Sequence, residues 1–432
     1  MSRLLNIEEP AAAMQRPSMT AFLALGFRPL YIAGAAWALI SIALWIFAPQ
    51  TLDGPLPHVY WHAHEMLWGF IITIAVGFLL TASATWTGFN PLAGRPLGAL
   101  CLLWLIARIG FLAGGLTGFW IATAAEVLFF LAAAASLMRV MVKGRSRRNY
   151  GLPVLMLALG AADLLYLLAA LEGNYATLMQ RFDLGLIGMA VIALLIARRV
   201  IPFFSMRMVQ GLQIPMLTRS GQVQMVFSAL ALVSGVLLQI VPATGRPAFL
   251  PLLMAFSLAL TGLISLGQLL AWRPLAVLRK PMLWILYLGY AFIGIGLLVA
   301  AVQVSGLLDP ALLRGLLARS ATHVHLIGMA GFCILIIGML TRTALGHLGR
   351  PLALDGSMLA SYWLMVAAVV FRLAALWPSA ASQHLLHLAA AAWILCMGLY
   401  LWRFVPMLIR PRPDKPATAA PPRAATQPAQ AR

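Results

Sequence analysis

The chain consists of one long apolar stretch after another, and this feature constrains its fold more than any other. Twelve such stretches follow in succession, separated by short polar links that contain Pro or Gly. About 20 apolar residues in an α-helix cross the hydrocarbon core of a bilayer. Because backbone polar groups in lipid have no water to bind, each stretch must satisfy them internally, as a helix does. The sequence therefore predicts an all-α, polytopic membrane protein with about twelve transmembrane helices.

The predicted spans fill most of the chain. They cover residues 27–48, 63–85, 97–115, 117–139, 152–171, 184–204, 223–241, 249–271, 282–304, 321–341, 358–377 and 385–408. A composition of 62% hydrophobic and 9% charged residues excludes a soluble protein of this length. We therefore expect a transmembrane domain over residues 27–410. A cytoplasmic segment, 1–26, precedes it, and a Pro- and Ala-rich cytoplasmic tail, 411–432, is predicted to be disordered.

The net charge of +19 would suit either nucleic acid or a membrane surface, so the positions of the basic residues have to decide. With the N-terminus inside, twenty-four of the 30 Lys and Arg residues fall in cytoplasmic segments and four in the opposite loops. Arg108 and Arg372 lie within spans. Cytoplasmic loops of membrane proteins carry such an excess of basic residues. The pattern predicts an inner-membrane protein with both termini in the cytoplasm, and it favours the lipid bilayer over nucleic acid as the partner.

Histidines gather at the outer face of this topology. Seven of the eight lie there, namely His58, His62, His64, His323, His325, His384 and His387. Two pairs have the spacing His-x-His, and residues two apart in an α-helix point about 200° away from each other. Each His-x-His pair therefore suits two different partners. His384 and His387 are three apart, so they share a face and can bind one metal together.

Methionines accompany two of these histidines on common helix faces. His62 with Met66, and His325 with Met329, are four residues apart. Imidazole suits haem iron and copper, and a thioether suits Cu(I) or an axial position of haem. The candidate metal ligands are His62, His64, His323, His325, His384, His387, Met66 and Met329. The alternative is that such histidines cap helices at the interface and such methionines fill gaps in the core.

Apart from basic residues near the cytoplasmic ends of the helices, five charged residues lie within the spans, where an unpaired charge is costly and marks a candidate functional site. They are Glu65, Arg108, Glu126, Asp163 and Arg372. Both arginines are placed toward the outer ends of their helices, where either can neutralise a haem propionate. Glu65 can orient a ligating imidazole. Alternatively, Arg108 forms a plain interhelical pair with Glu126 or Asp163.

A set of short segments, spread over nearly the whole membrane part of the chain, carries a resemblance to a known family. The segments are Phe27–Leu30, Trp61–Met66, Gly69–Phe70, Gly77–Thr81, Trp86–Gly88, His323–His325, Gly328–Met329 and Arg342–Arg350. Together they resemble the NnrS family. The resemblance implies a haem- and copper-containing inner-membrane protein of bacteria, with haem of b type, linked to nitric oxide and nitrosative stress and often found in denitrifying species. It also makes His62, His64, His323 and His325 the foremost metal-binding residues, with His384 and His387 next.

The chain is also distantly similar to the catalytic subunit of haem-copper respiratory oxidases, which has twelve spans, a histidine in the second and His-x-His in the tenth. Under that similarity the second and tenth spans share a haem. However, the predicted sixth and seventh spans contain no histidine, so the usual copper cluster beside the active haem is missing. Binding or detoxification of nitric oxide near the periplasmic face is the leading hypothesis, with turnover and oligomeric state left open. The rival hypothesis is a secondary transporter, or a copper-handling permease with a His/Met site.

Overall fold

The computed structural model describes residues 16–306 and 319–413, which form helices joined by turns and loops, with no strand among them. Twelve of the helices are long and apolar enough to cross a membrane. The predicted all-α, multi-pass fold is therefore confirmed. The helices are α1 (Phe27–Phe47), α2 (Val59–Thr87), α3 (Arg95–Ala113), α4 (Gly115–Lys143), α5 (Gly151–Glu172), α6 (Tyr175–Met208), α7 (Thr218–Ile240), α8 (Phe249–Ala271), α9 (Pro281–Ser305), α10 (Ala321–His347), α11 (Gly356–Ala375) and α12 (Ser382–Leu408).

Most helix bounds lie close to the predicted ones, and α6 differs most. It begins at Tyr175, well before the predicted residue 184, and the Asn174 side chain caps it by accepting a hydrogen bond from the Thr177 N–H at 3.1 Å. The added turns carry Arg181 and Asp183. Hydropathy marks only the apolar part of a helix, so a polar first turn at the membrane surface escapes it.

Helices α2 and α10, which carry the two His-x-His pairs, lie at the centre of the bundle. In their most apolar stretches 83% and 78% of the residues are buried, against 28% in α7. Helix α2 packs on α1, and α10 packs on α9 and α11. The two helices also contact each other and α6. The four histidines of these two pairs therefore sit on the most enclosed helices, away from the lipid-facing periphery.

Both central helices change to π-helical hydrogen bonding directly after their His-x-His pair. The π segments are Glu65–Ile72 and Leu326–Cys333. Wide turns of this kind are rare in proteins, and many of those that are known lie at functional sites. A glycine in each π segment lets a neighbouring side chain approach the helix closely. A Cβ on Gly69 would overlap the Arg108 guanidinium, and one on Gly331 would lie 2.7 Å from Ile293 Cγ1.

The two described ends of the chain lie at the same end of the bundle. The Ser18 N–H donates to the Ile409 carbonyl at 2.9 Å. Arg28 Nη1 donates to the carbonyls of Leu408 at 2.8 Å and Arg410 at 2.7 Å. This arrangement agrees with an even number of crossings. Most of the predicted N-terminal segment and tail falls on residues 1–15 and 414–432, outside the described residues.

Candidate functional site

The two His-x-His pairs point their side chains in opposite directions, as their spacing predicts. On α2, His62 lines a cavity, whereas His64 is fully buried among charged side chains. On α10, His325 lines the same cavity and His323 turns away from it. The pairs thus separate a cavity that α2 and α10 share from other polar sites around it.

The shared cavity, called here the His62–His325 cavity, has a volume of about 170 Å³ and is partly open. Helices α1, α2, α6, α10, α11 and α12 surround it. Five of its lining residues were singled out from the sequence, namely His62, Met66, His325, Met329 and Arg372. The rest of the lining is mainly apolar and includes the aromatic rings of Trp45, Phe182 and Trp393.

Hydrogen bonds define the protonation of the His325 ring. Arg372 Nε lies 3.1 Å from His325 Nε2 and can only donate, so Nε2 must be the accepting nitrogen. The other nitrogen, Nδ1, donates to the Ala321 carbonyl at 2.7 Å. A metal-ligating histidine has this arrangement, because one N–H bound to a carbonyl fixes the ring and leaves the other nitrogen's lone pair for the metal.

The His62 ring is held by stacking. It lies parallel to Trp45, with ring centroids 5.0 Å apart and an interplanar angle of 11°. Its Nδ1 is buried and has no hydrogen-bond partner among the described residues. Buried polar atoms are nearly always paired, so an unpaired imidazole nitrogen beside a cavity is what a ligand site would contain. The donor set of two imidazoles and two thioethers fits haem iron or copper.

On the opposite side of α2, His64 joins four charged residues in a buried group, called here the His64 cluster. Its members are His64, Glu65, Arg108, Glu126 and Asp163, from α2, α3, α4 and α5. His64 Nδ1 lies 2.9 Å from Glu65 Oε1, and His64 Nε2 lies 2.9 Å from Asp163 Oδ1 and 3.5 Å from Glu126 Oε2. Arg108 contacts Glu65, and its Nη2 is 2.5 Å from Glu126 Oε2. None of the five side chains is more than 3% exposed.

This cluster places Arg108 beside Glu126, the interhelical pair weighed as an alternative from the sequence. It also places Glu65 against the His64 imidazole, while Trp37 Nε1 donates to Glu65 Oε2 at 2.5 Å. The structure does not bring His64 or Arg108 to the His62–His325 cavity. Of the two intramembrane arginines, Arg372 is the one at the cavity.

The other candidate histidines lie apart from the cavity. His323 sits between α6 and α9, with Nε2 3.0 Å from Asp183 Oδ1 and Nδ1 2.5 Å from Gln303 Oε1. His384 is exposed, and His387 stacks on Phe47 with centroids 5.7 Å apart. Their metal-binding roles stay predictions.

Sequence reasoning missed several residues that hold the histidines in place. Trp45 stacks on His62, and Trp37 donates a hydrogen bond to Glu65. Asp183 pairs with His323. Tryptophans are common throughout the spans, and no spacing relates either one to the His-x-His pairs. Asp183 falls just before a predicted span, where a charge calls for no partner.

A family model described as NnrS protein matches residues 21–412 of the chain. The matched region contains all twelve spans, both His-x-His pairs, the cavity and the His64 cluster. No curated protein matches the chain significantly. The chain belongs to the NnrS family.

Proposed function

We propose that this protein is a haem- and copper-binding inner-membrane protein of the nitric oxide response, with a cofactor in the His62–His325 cavity. The observation that carries the proposal is that one histidine from α2 and one from α10 line a single, mainly apolar cavity, each with its methionine. Family membership supports metal or haem binding in general. In the topology predicted from the basic residues, this end of the bundle faces the periplasm.

The residues at the cavity fit the proposed cofactors in type. His62 and His325 would supply imidazole nitrogens to haem iron or copper, and Met66 and Met329 thioether sulfurs. Ligation through His325 Nε2 would release Arg372 from that nitrogen, leaving its guanidinium to pair with a haem propionate. When bound, the metal supplies reversible binding of a diatomic molecule or electron transfer.

The size of the cavity has different consequences for a copper ion and for a haem. Its 170 Å³ is below the roughly 300–1,000 Å³ of small-molecule pockets. The cavity has room for a copper ion, whereas a haem requires the lining side chains to separate. We therefore expect the haem-bound and haem-free proteins to differ at these side chains.

The apolar lining suits nitric oxide as a ligand. Nitric oxide is small and uncharged, so it partitions into lipid and needs no polar channel to reach a site between the helices. The aromatic and aliphatic walls of the cavity are compatible with such a route. The same walls exclude water from the proposed cofactor.

Optical spectra and metal analysis of the purified protein test the proposal. We expect a Soret band, iron or copper in stoichiometric amount, and a spectral change on addition of nitric oxide. Protein that folds, yet shows neither a Soret band nor iron nor copper, would overturn it.

Histidine variants locate the cofactor. His62→Ala and His325→Ala should each lose the low-spin haem spectrum or the copper, because each removes one imidazole from the cavity. His58→Ala is the matched control, since His58 does not line the cavity, and it should keep the wild-type spectrum. Loss of the spectrum in the control but not in the cavity variants would contradict the assignment.

A copper-handling permease is the second candidate, favoured by the same paired His and Met side chains because these donors suit Cu(I). Copper transport by vesicles that contain the purified protein, abolished by Met66→Leu and Met329→Leu, would favour it over a fixed cofactor. We propose no oxidase or reductase activity, because α6 and α7 contribute no histidine for a copper cluster.

A further inference from the structure

The His64 cluster contains more negative than positive charge. Three carboxylates, from Glu65, Glu126 and Asp163, face the single guanidinium of Arg108. All lie in the interior of a bundle that crosses a membrane, where an uncompensated ion is unfavourable by several kcal/mol or more. With a neutral imidazole, the group lacks two positive charges, which is the charge of one divalent cation.

Three atoms of the cluster already have the spacing of ligands around one ion. One ligand atom each from His64, Glu126 and Asp163 lies within 4.8 Å of the other two. Two ligands that each bind a first-row ion at about 2.1 Å are about 3.0 Å apart at a right angle and about 3.4 Å apart in a tetrahedron. The distances from His64 Nε2 are 2.9 Å to Asp163 Oδ1 and 3.5 Å to Glu126 Oε2.

Two further observations point to a ligand at this position. Asp163 Oδ2 belongs to a fully buried residue and has no hydrogen-bond partner among the described residues. In addition, His64 Nδ1 donates to Glu65 Oε1 when that nitrogen carries the proton. The Nε2 lone pair and the Asp163 carboxylate are then two acceptors 2.9 Å apart, and a cation bound to both removes their repulsion. Metal-binding histidines are commonly oriented by a carboxylate in this way.

We propose that His64, Glu126 and Asp163 bind one divalent first-row cation of the Zn²⁺, Fe²⁺ or Mn²⁺ class, at a site separate from the His62–His325 cavity. One imidazole nitrogen and two carboxylate oxygens suit these ions, whereas the thioethers of the cavity suit Cu(I). Glu65 holds the imidazole, and Arg108 balances the third carboxylate. The bound cation brings the formal charge of the cluster to zero.

Zinc binding tests the site, because Zn²⁺ is redox-inactive and its amount per chain is measured independently of any haem spectrum. Full-length protein in detergent is stripped with a chelator, equilibrated with Zn²⁺ and analysed for zinc per chain. Wild type should bind one equivalent at this site, and Asp163→Asn and Glu126→Gln should bind it at least tenfold more weakly. Asp183→Asn is the matched control, because it removes a carboxylate that contacts a different histidine, and it should bind zinc like wild type.

Unchanged zinc binding in both cluster variants, or no zinc bound by wild type, would overturn the proposal. If a variant does not fold, the zinc content of the wild-type protein still tests the proposal, because wild type without bound zinc would overturn it. Co²⁺ should produce the weak visible bands of nitrogen and oxygen ligation. An intense thiolate charge-transfer band would instead place the ion at a cysteine and also overturn the proposal. Absence of haem from the cavity would leave these outcomes unaffected.

Discussion

At the scale of single residues, Arg108 is a buried charge whose position depends on its ion pairs. Its guanidinium is fully buried and contacts the carboxylates of both Glu65 and Glu126. Its long side chain reaches from α3 toward α2 and α4, so it joins three helices. Removing one partner from a buried ionic group leaves the other charges uncompensated, which is more damaging than loss of a surface pair.

We therefore predict that Arg108→Met, which keeps the length of the side chain but not its charge, destabilises the protein by about 3–5 kcal/mol. Arg95→Met is the control, because Arg95 is exposed at the start of α3. Thermal unfolding of both variants in the same detergent gives the comparison. Equal midpoints would mean that ion pairing does not hold the cluster together.

Some of these residue contacts follow from the sequence and others do not. Spacing alone shows that His62 and His64 diverge, and charge within the spans makes Glu126 and Asp163 candidate partners of Arg108. Spacing does not show which histidine faces the cavity, because the rotation of α2 about its axis is set by its neighbours. The stacking of Trp45 on His62 depends on the same rotation.

At the scale of elements, hydropathy predicts where a helix crosses the membrane but not how its backbone is hydrogen-bonded. The span bounds follow from apolar length, with α6 the main departure. The π segments after both His-x-His pairs were not predicted, because their residues are as apolar as those of an ordinary helix. A π turn contains more residues than an α turn, so the side chains that follow are rotated relative to those of an uninterrupted α-helix.

Close contact between α8 and α9 gives a second prediction. A Cβ on Gly262 would lie 2.6 Å from the Gly294 carbonyl, whereas Gly267, on the same helix, has open space around it. Gly262→Ala should destabilise the protein by about 1–3 kcal/mol, because the helices must move apart. Gly267→Ala should be neutral or stabilise it by up to about 1 kcal/mol.

Thermal unfolding of the two alanine variants under one condition measures the difference. Because both changes add the same methyl group to the same helix, propensity alone cannot separate them. If Gly262→Ala unfolds at the same temperature as Gly267→Ala, the contact between α8 and α9 is looser than the structure indicates.

At the scale of the whole molecule, the distribution of basic residues predicts orientation as well as topology. The described ends lie together, in keeping with the twelve crossings, and the basic loops are expected on the cytoplasmic side. The order in which the helices surround the cavity could not be predicted. The packing of α1 on α12, for example, joins opposite ends of the chain and leaves no local pattern.

Cysteine labelling tests the orientation at the two ends of α5. Arg148 and Glu172 are both exposed. A maleimide that cannot cross the inner membrane, added to cells with a permeabilised outer membrane, should label Glu172→Cys and not Arg148→Cys. The unchanged protein, with Cys333 and Cys396 buried and Cys101 partly buried, gives the background. The reverse labelling would place both termini in the periplasm.

One consequence follows from the position of His62 and His64 on a single turn of α2, with only Ala63 between them. Any ligand that shifts this turn at one site shifts it at the other. If each site discriminates between two rotations of the turn, the two occupancies are linked thermodynamically, and the linkage is reciprocal. A cation at the buried carboxylates would then tune the affinity of the cavity for its cofactor, by the same factor with which the cofactor tunes the affinity for the cation.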